Sequence, residues 1–296
     1  MFQLDRYLKE RAALVERALA RVVPESSGPD RRLFEAMRYS LLGGGKRLRP
    51  ILALAACEAV GGAPQRAMGF ACAVEMIHNY SLIHDDLPCM DNDDLRHGRP
   101  ASHKVFGEAM ATLSGDGLLT DAFKVLAASA SDGVPSAVVL QAVADLAEAA
   151  GSSGMVGGQV IDLQSEGRTL SLDELKVLHA KKTGALFHAS IVGGARLGGA
   201  TDSQLSSLSD YARALGLAFQ IIDDLLDVEA TTEQMGKRTG KDEAAGKATF
   251  PALLGVDRSR EFARELERRA HQALVGFDSG ADPLRAIATF VVERKR

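Results

Sequence analysis

The 296-residue chain has no tryptophan, few other aromatic residues (5% in all) and three scattered cysteines. So few aromatics beside plentiful Ala, Leu and Gly disfavour sheets and suit close-packed helices. Cys57, Cys72 and Cys89 are odd in number and stand apart. That excludes a disulfide framework and fits free thiols in a reducing cytosol. No paired Cys or His spacing of a zinc site accompanies them. An excess of positive charge is missing too: the formal net charge is -4, against the basic footprint of a nucleic-acid binder. No stretch reaches the ~20 apolar residues that span a bilayer. Met1 to Val23 breaks its apolar residues with Asp5, Arg6, Lys9, Glu10, Arg11, Glu16 and Arg17, the pattern of neither a secretory signal nor a transit peptide. The expectation is a soluble, cytoplasmic protein whose first helix packs on the rest. Pro24 to Pro29 reads as a loop, with Asp30 as the cap of the next helix.

What the chain does have is acid in apolar surroundings. Phe219 to Val228 reads F-Q-I-I-D-D-L-L-D-V. At ~100° per residue, Gly216, Gln220, Asp223, Asp224 and Asp227 share about a third of a helix, and apolar residues fill the remainder. A helix apolar nearly all round is buried. Each carboxylate inside it costs several kcal/mol unless a cation or donor answers it. An arbitrary D-D-x-x-D is more often a solvated face, but this helix has no broad solvent face, and a metal-holding cavity is the better reading.

A second acidic cluster, Asp85-Asp86 with Asp91, follows another apolar run, Glu75 to Ile83. His78 and Ser81 stack on the side of Asp85 at three- and four-residue steps. Pro88 ends that helix, so Asp91 folds back toward Asp85 and Asp86. Oxygen donors of this kind suit Mg²⁺, which prefers a few carboxylates together with water and substrate phosphates. Leu41 to Pro50, L-L-G-G-G-K-R-L-R-P, brings backbone amides and the charges of Lys46, Arg47 and Arg49 toward an anion such as a diphosphate. Taken alone it reads equally well as a helix end and a solvated basic turn.

Six segments in order resemble the trans-prenyltransferases, the head-to-tail isoprenyl diphosphate synthases. They are Gly43 to Pro50, Asp85 to Asp91 (D-D-x-x-x-x-D), Gly158-Gln159 with Asp162, Lys182-Thr183-Gly184, Asp223 to Asp227 (D-D-x-x-D) and Gly246 to Pro251. The resemblance implies an all-α, single-domain helical bundle over residues 1–296 around a deep central cavity, working as a homodimer. Periodicity agrees on helices, since no sustained two-residue alternation appears. By resemblance, three Mg²⁺ ions join diphosphate to Asp85, Asp91 and Asp223, with Asp86, Asp224 and Asp227 assisting. Lys182, Thr183 and Gln220 stand near the leaving group and the allylic cation. Isopentenyl diphosphate falls to Lys46, Arg49 and His78, and the allylic diphosphate to Arg96. His97 stands where the family usually has a second arginine, with Arg99 nearby. Histidine has fewer donors and is only partly charged near neutral pH.

The polar stretch Thr231 to Lys247, with Lys237, Arg238, Lys241 and Lys247, reads as a lid over bound diphosphates or else as an ordinary surface loop. Gly151 to Gly158 fits no phosphate-loop spacing and reads as a flexible entry into a packed helix. Arg258 to Arg269 mixes both signs and reads as a solvated helix. The basic end, Arg294 to Arg296, falls near the cavity mouth. Tyr80, five residues before the first acidic motif, is a candidate floor for the growing chain. That favours farnesyl over geranylgeranyl diphosphate, although Ser81 lies closer to the line of Asp85 and a core tyrosine is an equal reading. Outside this reading stand a terpene cyclase, a metal-dependent phosphohydrolase suggested by the pair His84-Asp85, and a noncatalytic prenyltransferase subunit.

Overall fold

A computed structural model describes residues 2–229 and 248–294. Helix follows helix: α1 Leu4–Val22, α2 Arg31–Leu41, α3 Leu48–Ala59 and α4 Gln65–Asp85 lead to a short antiparallel hairpin. Its strands, β1 Leu95–Arg96 and β2 Arg99–Pro100, are the only paired strands among the described residues. Then come α5 Ser102–Phe106, α6 Glu108–Ala128, α7 Ser136–Ala150, α8 Met155–Ser165 and α9 Leu172–His179. A π-helical turn, Ala180–Gly184, runs without a break into α10 Ala185–Gly198, followed by the long α11 Asp202–Glu229. The chain resumes at α12 Phe250–Leu254, α13 Val256–Ala273 and α14 Asp282–Glu293. The all-α class read from the sequence is what the chain adopts.

The helices apolar all round are the central ones. No residue of α3 from Pro50 to Cys57 faces solvent, and α4 buries Phe70 to Ile77 without interruption. On α10, Gly193 and Gly194 remove side chains where neighbours press hardest. A Cβ at Gly194 would lie 2.1 Å from the Ala53 carbonyl oxygen of α3, and one at Gly193 2.2 Å from the Phe70 ring of α4. Such contact brings the axes of α3, α4 and α10 close together at the centre. Peripheral helices show one apolar stripe instead. On α13 only Ser259, Ala263, Leu266 and Ala270 are buried, which bears out the reading of its charged residues as a solvated face.

Asp30 does occupy the N-cap position of α2, but its side chain makes no capping bond. It accepts from Ser26 Oγ at 2.9 Å, holding the preceding loop instead. No helix of the described residues is long and apolar enough to cross a membrane.

Candidate active site

Both acidic segments lie where long buried helices end, α4 at Asp85 and α11 at Glu229. Past Asp85 the chain turns back on itself through backbone bonds. The Asp91 N–H donates to the Asp85 carbonyl at 2.8 Å and the Asp93 N–H to the Asp86 carbonyl at 3.2 Å. This is the fold-back that Pro88 suggests. Burial pushes the Asp85 carboxyl up to about 6, with Asp91 and Asp86 adding to the rise and Lys182 and Arg96 opposing it. Asp86 is 2% exposed. It takes both Nε and Nη2 of Arg96, the Nε contacts being 3.1 and 3.2 Å. Arg96 is therefore clamped beneath the acidic segment, with Asp93 a further 3.6 Å neighbour.

The hairpin beyond it explains the position of His97. His97 and Gly98 have φ of 52° and 74°, the pair of left-handed residues that a two-residue turn of type I′ demands. The turn sets His97 against the glycine loop, where a Cβ on Gly45 would lie 3.6 Å from His97 Nε2. Arg99 reaches the start of the same loop at Gly43, but its guanidinium lies flat on the Tyr39 ring, 4.1 Å from the centroid.

The basic loop departs from expectation at Arg47. In a left-handed conformation, this residue turns inward and donates to Glu16 at 2.6 Å, Glu75 at 2.7 Å and the Leu41 carbonyl at 2.6 Å. At 3% exposure its charge is used inside the protein and is not offered to an anion. Lys46 stays exposed, and burial of part of its surroundings with Arg294 lowers its pKa while Asp223 raises it. Arg49 lies 4.8 Å over the Phe187 ring, and its buried Nε has no hydrogen-bond partner. Burial lowers its pKa to about 10, against the pull of Glu75 and Asp223. Arg49 Nη1 stands 3.2 Å from His78 Nε2. Burial and then Arg49, Arg96 and His97 hold His78 well below its ordinary pKa. The imidazole is thus neutral, and Nε2 accepts from the arginine.

Across from these groups, Asp223 Oδ1 accepts from Arg294 Nη2 at 2.5 Å. The same guanidinium stacks on Phe219 at 4.1 Å and donates to the Phe219 carbonyl at 3.1 Å. The basic end of the chain thus reaches the second acidic segment itself, a closer engagement than nearness to a cavity mouth. Lys295 and Arg296 lie outside the described residues. Asp224 is 4% exposed. Its Oδ1 accepts from Gln220 Nε2 at 2.8 Å and its Oδ2 from the Phe250 N–H at 2.9 Å. Gln220 Oε1 accepts in turn from Thr183 Oγ1 at 3.0 Å.

Thr183 and its neighbour Lys182 sit on the π-helical turn, a form that often marks functional sites. Lys182 Nζ pairs with Asp162 Oδ2 of α8 at 2.5 Å. Gly158 is where α8 meets this turn, since a Cβ there would lie 2.2 Å from the Lys182 nitrogen. Gly158, at the far end of the Gly151 to Gly158 stretch, thus serves close packing against the turn. Periodicity alone gives no sign of the π turn, because Lys181-Lys182-Thr183-Gly184 carries no apolar side chain to mark a shift of register.

Tyr80 is buried at 6% exposure, its ring 5.7 Å from that of His84 in an edge contact. Burial, then the charge of Asp85, raises its phenol pKa. Ser81 Oγ donates to the His78 carbonyl at 2.8 Å. His84 Nε2 lies 3.1 Å from the Thr112 carbonyl, as a donor to it. Lys237 and Lys247, with the rest of the proposed lid, lie outside the described residues.

Among the described residues no three His, Cys, Asp or Glu side chains stand close enough to hold a metal ion. The donor set is nevertheless of the right kind. It consists of hard carboxylate oxygens, and burial with the neighbouring Asp91 penalises the charge of Asp85; a divalent cation relieves that penalty. Asp86 and Asp224, the two most buried, are bracketed by Arg96 and by Gln220 with the Phe250 N–H, while Asp223, less buried, takes Arg294.

Comparison with known proteins agrees over almost the whole chain. The polyprenyl synthetase family model matches residues 30–274. The chain is 50% identical to the chloroplastic heterodimeric geranylgeranyl pyrophosphate synthase large subunit 1 of Arabidopsis thaliana, covering 99% of this chain and 80% of that one. It is also 50% identical to the chloroplastic geranylgeranyl pyrophosphate synthase of Capsicum annuum, over 99% and 79%. The crystal structure of an FPP/GFPP synthase from Zymomonas mobilis superposes with a TM-score of 0.88 at 43% identity, covering 98% of both chains. Paired acidic helix ends, the arginine and lysine positions around them and these relatives lead to one placement: the chain belongs to the polyprenyl synthetase family, the trans-isoprenyl diphosphate synthases.

Proposed function

We propose that this prenyltransferase is a Mg²⁺-dependent geranylgeranyl diphosphate synthase. It extends an allylic diphosphate with isopentenyl diphosphate, head to tail, and releases diphosphate. The carbon-oxygen bond of the allylic substrate breaks and the double bond of isopentenyl diphosphate attacks the allylic carbon. A proton then leaves the new chain for the departed diphosphate. Asp85, Asp91, Asp223 and Asp227 would hold the divalent ions, whose charge would supply neutralisation of the leaving diphosphate. Lys182 offers it a fixed positive charge, and the Thr183 hydroxyl and Gln220 amide offer oriented dipoles to the developing cation. Lys46, Arg49 and neutral His78 receive isopentenyl diphosphate, with His97 at the edge of their loop. Arg96 acts on the allylic diphosphate and also holds Asp86 in place.

One observation carries the reading. Lys182 is near enough to lower the pKa of Asp85, while its neighbour Thr183 is hydrogen-bonded to Gln220, one helical turn before Asp223. One short turn therefore serves both acidic segments.

The geranylgeranyl product is supported by the names of the plant relatives at 50% identity. Farnesyl diphosphate, expected from Tyr80, is the second reading, favoured by the buried ring beside Asp85 and by the name of the Zymomonas mobilis protein. We also propose one domain, a homodimer and a cytoplasmic site of action. Incubation of the purified protein with Mg²⁺, labelled isopentenyl diphosphate and each allylic diphosphate, followed by sizing of the dephosphorylated products, tests the assignment. A C20 alcohol supports it, and a C15 end point transfers it to the farnesyl reading. No incorporation of label would leave a cyclase or a noncatalytic subunit.

A further inference from the structure

His179 has no part in the chemistry above, yet it sits three residues before Lys182, at the entrance to the π turn. Its ring stacks on Phe250, with centroids 5.5 Å apart and planes inclined by 29°. Phe250 is the residue whose N–H holds Asp224 Oδ2. Asp224 holds Gln220, Gln220 holds Thr183, and Thr183 returns to the turn that His179 opens. These contacts form a closed circuit through three segments of chain.

The turn is gripped on its other sides by backbone. Gly158 of α8 packs on the Lys182 nitrogen, and Gly216 of α11 lies where a Cβ would be 3.3 Å from the Gly184 Cα. Gly158 leaves no room for a Cβ, and Gly216 is tight. The aromatic stack is the third wall, and it is made of side chains, so it is the one that substitution can loosen. Burial lowers the His179 pKa to about 4, with Lys182 lowering and Asp162 raising it. The ring is neutral at physiological pH and contributes surface, not charge.

Resting on the prenyltransferase reading, we propose that His179 is a positioning residue. By stacking on Phe250 it fixes the π turn so that Lys182 and Thr183 meet the departing diphosphate. A misplacement of about 1 Å at such a group is enough to cost ~10²-fold in rate. The circuit also ties the turn to Thr249-Phe250, so that the position of one is felt by the other.

The test compares His179→Ala with His179→Phe, which keeps a ring of similar face and removes both nitrogens. Hydrogen exchange of the 180–184 amides and steady-state kinetics are measured on each full-length protein. The expected result is that His179→Ala exchanges these amides at least tenfold faster and loses at least tenfold in kcat. Its KM for isopentenyl diphosphate stays within twofold, while His179→Phe restores both readouts. Loss in His179→Phe equal to that in His179→Ala overturns the proposal, since a nitrogen and not the stack would then be at work. Unchanged exchange and kcat in His179→Ala also overturn it. Should His179→Ala fail to fold, His179→Phe alone decides: wild-type exchange and kcat support the stack, and their loss refutes it. If the wild-type chain shows no condensation, the functional reading fails, and the exchange data still judge the stack.

Discussion

Arg294 and Asp223, 71 residues apart in sequence, are joined by a hydrogen-bonded ion pair of 2.5 Å in which the arginine is nearly buried and the aspartate is not. A guanidinium and a divalent ion on one carboxylate repel each other. Replacing Arg294 by Met keeps the apolar stem on Phe219 and removes the charge. The half-saturating Mg²⁺ concentration is expected to fall several-fold in a titration of initial rates. A rise would show instead that the arginine assists the substrate bound there.

The Asp85 carboxyl makes a prediction about pH. Its pKa rises from 3.8 to about 6 in the folded, metal-free protein. Between those values the folded state binds a proton more readily than the unfolded chain. The stability this group contributes is therefore full below about 4 and is lost as pH rises through 6. Asp85→Asn removes the penalty, so at pH 7.5 without metal the variant should melt a few degrees above wild type. The gap should close toward pH 4, and activity should be lost. A lower melting temperature for the variant at pH 7.5 would count against a penalised carboxylate.

His97 occupies a left-handed turn position beside Gly45. An arginine is somewhat more strained than histidine at such a φ, and it brings a permanent charge to the glycine loop. His97→Arg should lower KM for isopentenyl diphosphate several-fold, at pH 6 as at pH 8. An unchanged KM at both pH values would remove residue 97 from the substrate's reach.

Tyr80→Ala opens space beside the His84 ring at a cost of about 3–5 kcal/mol. If the ring is the floor of the chain-binding cavity, the variant should make prenyl alcohols at least one C5 unit longer than wild type. Chromatography that finds the same product in both proteins would leave Tyr80 as core packing.

Much of this arrangement is legible in the sequence because it depends on local pattern. The apolar surroundings of Asp223 to Asp227 announce a buried helix, and Pro88 announces the fold-back after Asp85. Direction is harder to read. Nothing in G-G-G-K-R-L-R-P tells that Arg47 points inward to Glu16 and Glu75 while Lys46 points out, since that depends on a left-handed φ at Arg47 and on acids contributed by α1 and α4. Likewise Asp224 looks like its neighbour Asp223. Only the arrival of the Phe250 N–H, 26 residues later, marks Asp224 as an internal bracket, where Asp223 takes Arg294 instead. Long-range partners of this kind leave no periodic trace, and neither does the reach of Arg294 across the fold to Asp223.

The π-helical stretch before α10 means that this helix holds one residue more than its register requires. A one-residue deletion between Ala180 and Gly184 would let the ladder relax to ordinary α-helix. Everything on one side would then rotate by roughly 100° against the other. A single lost codon would therefore either turn the lysine and threonine away from the acids or carry Gly193 and Gly194 off their contacts with α3 and α4.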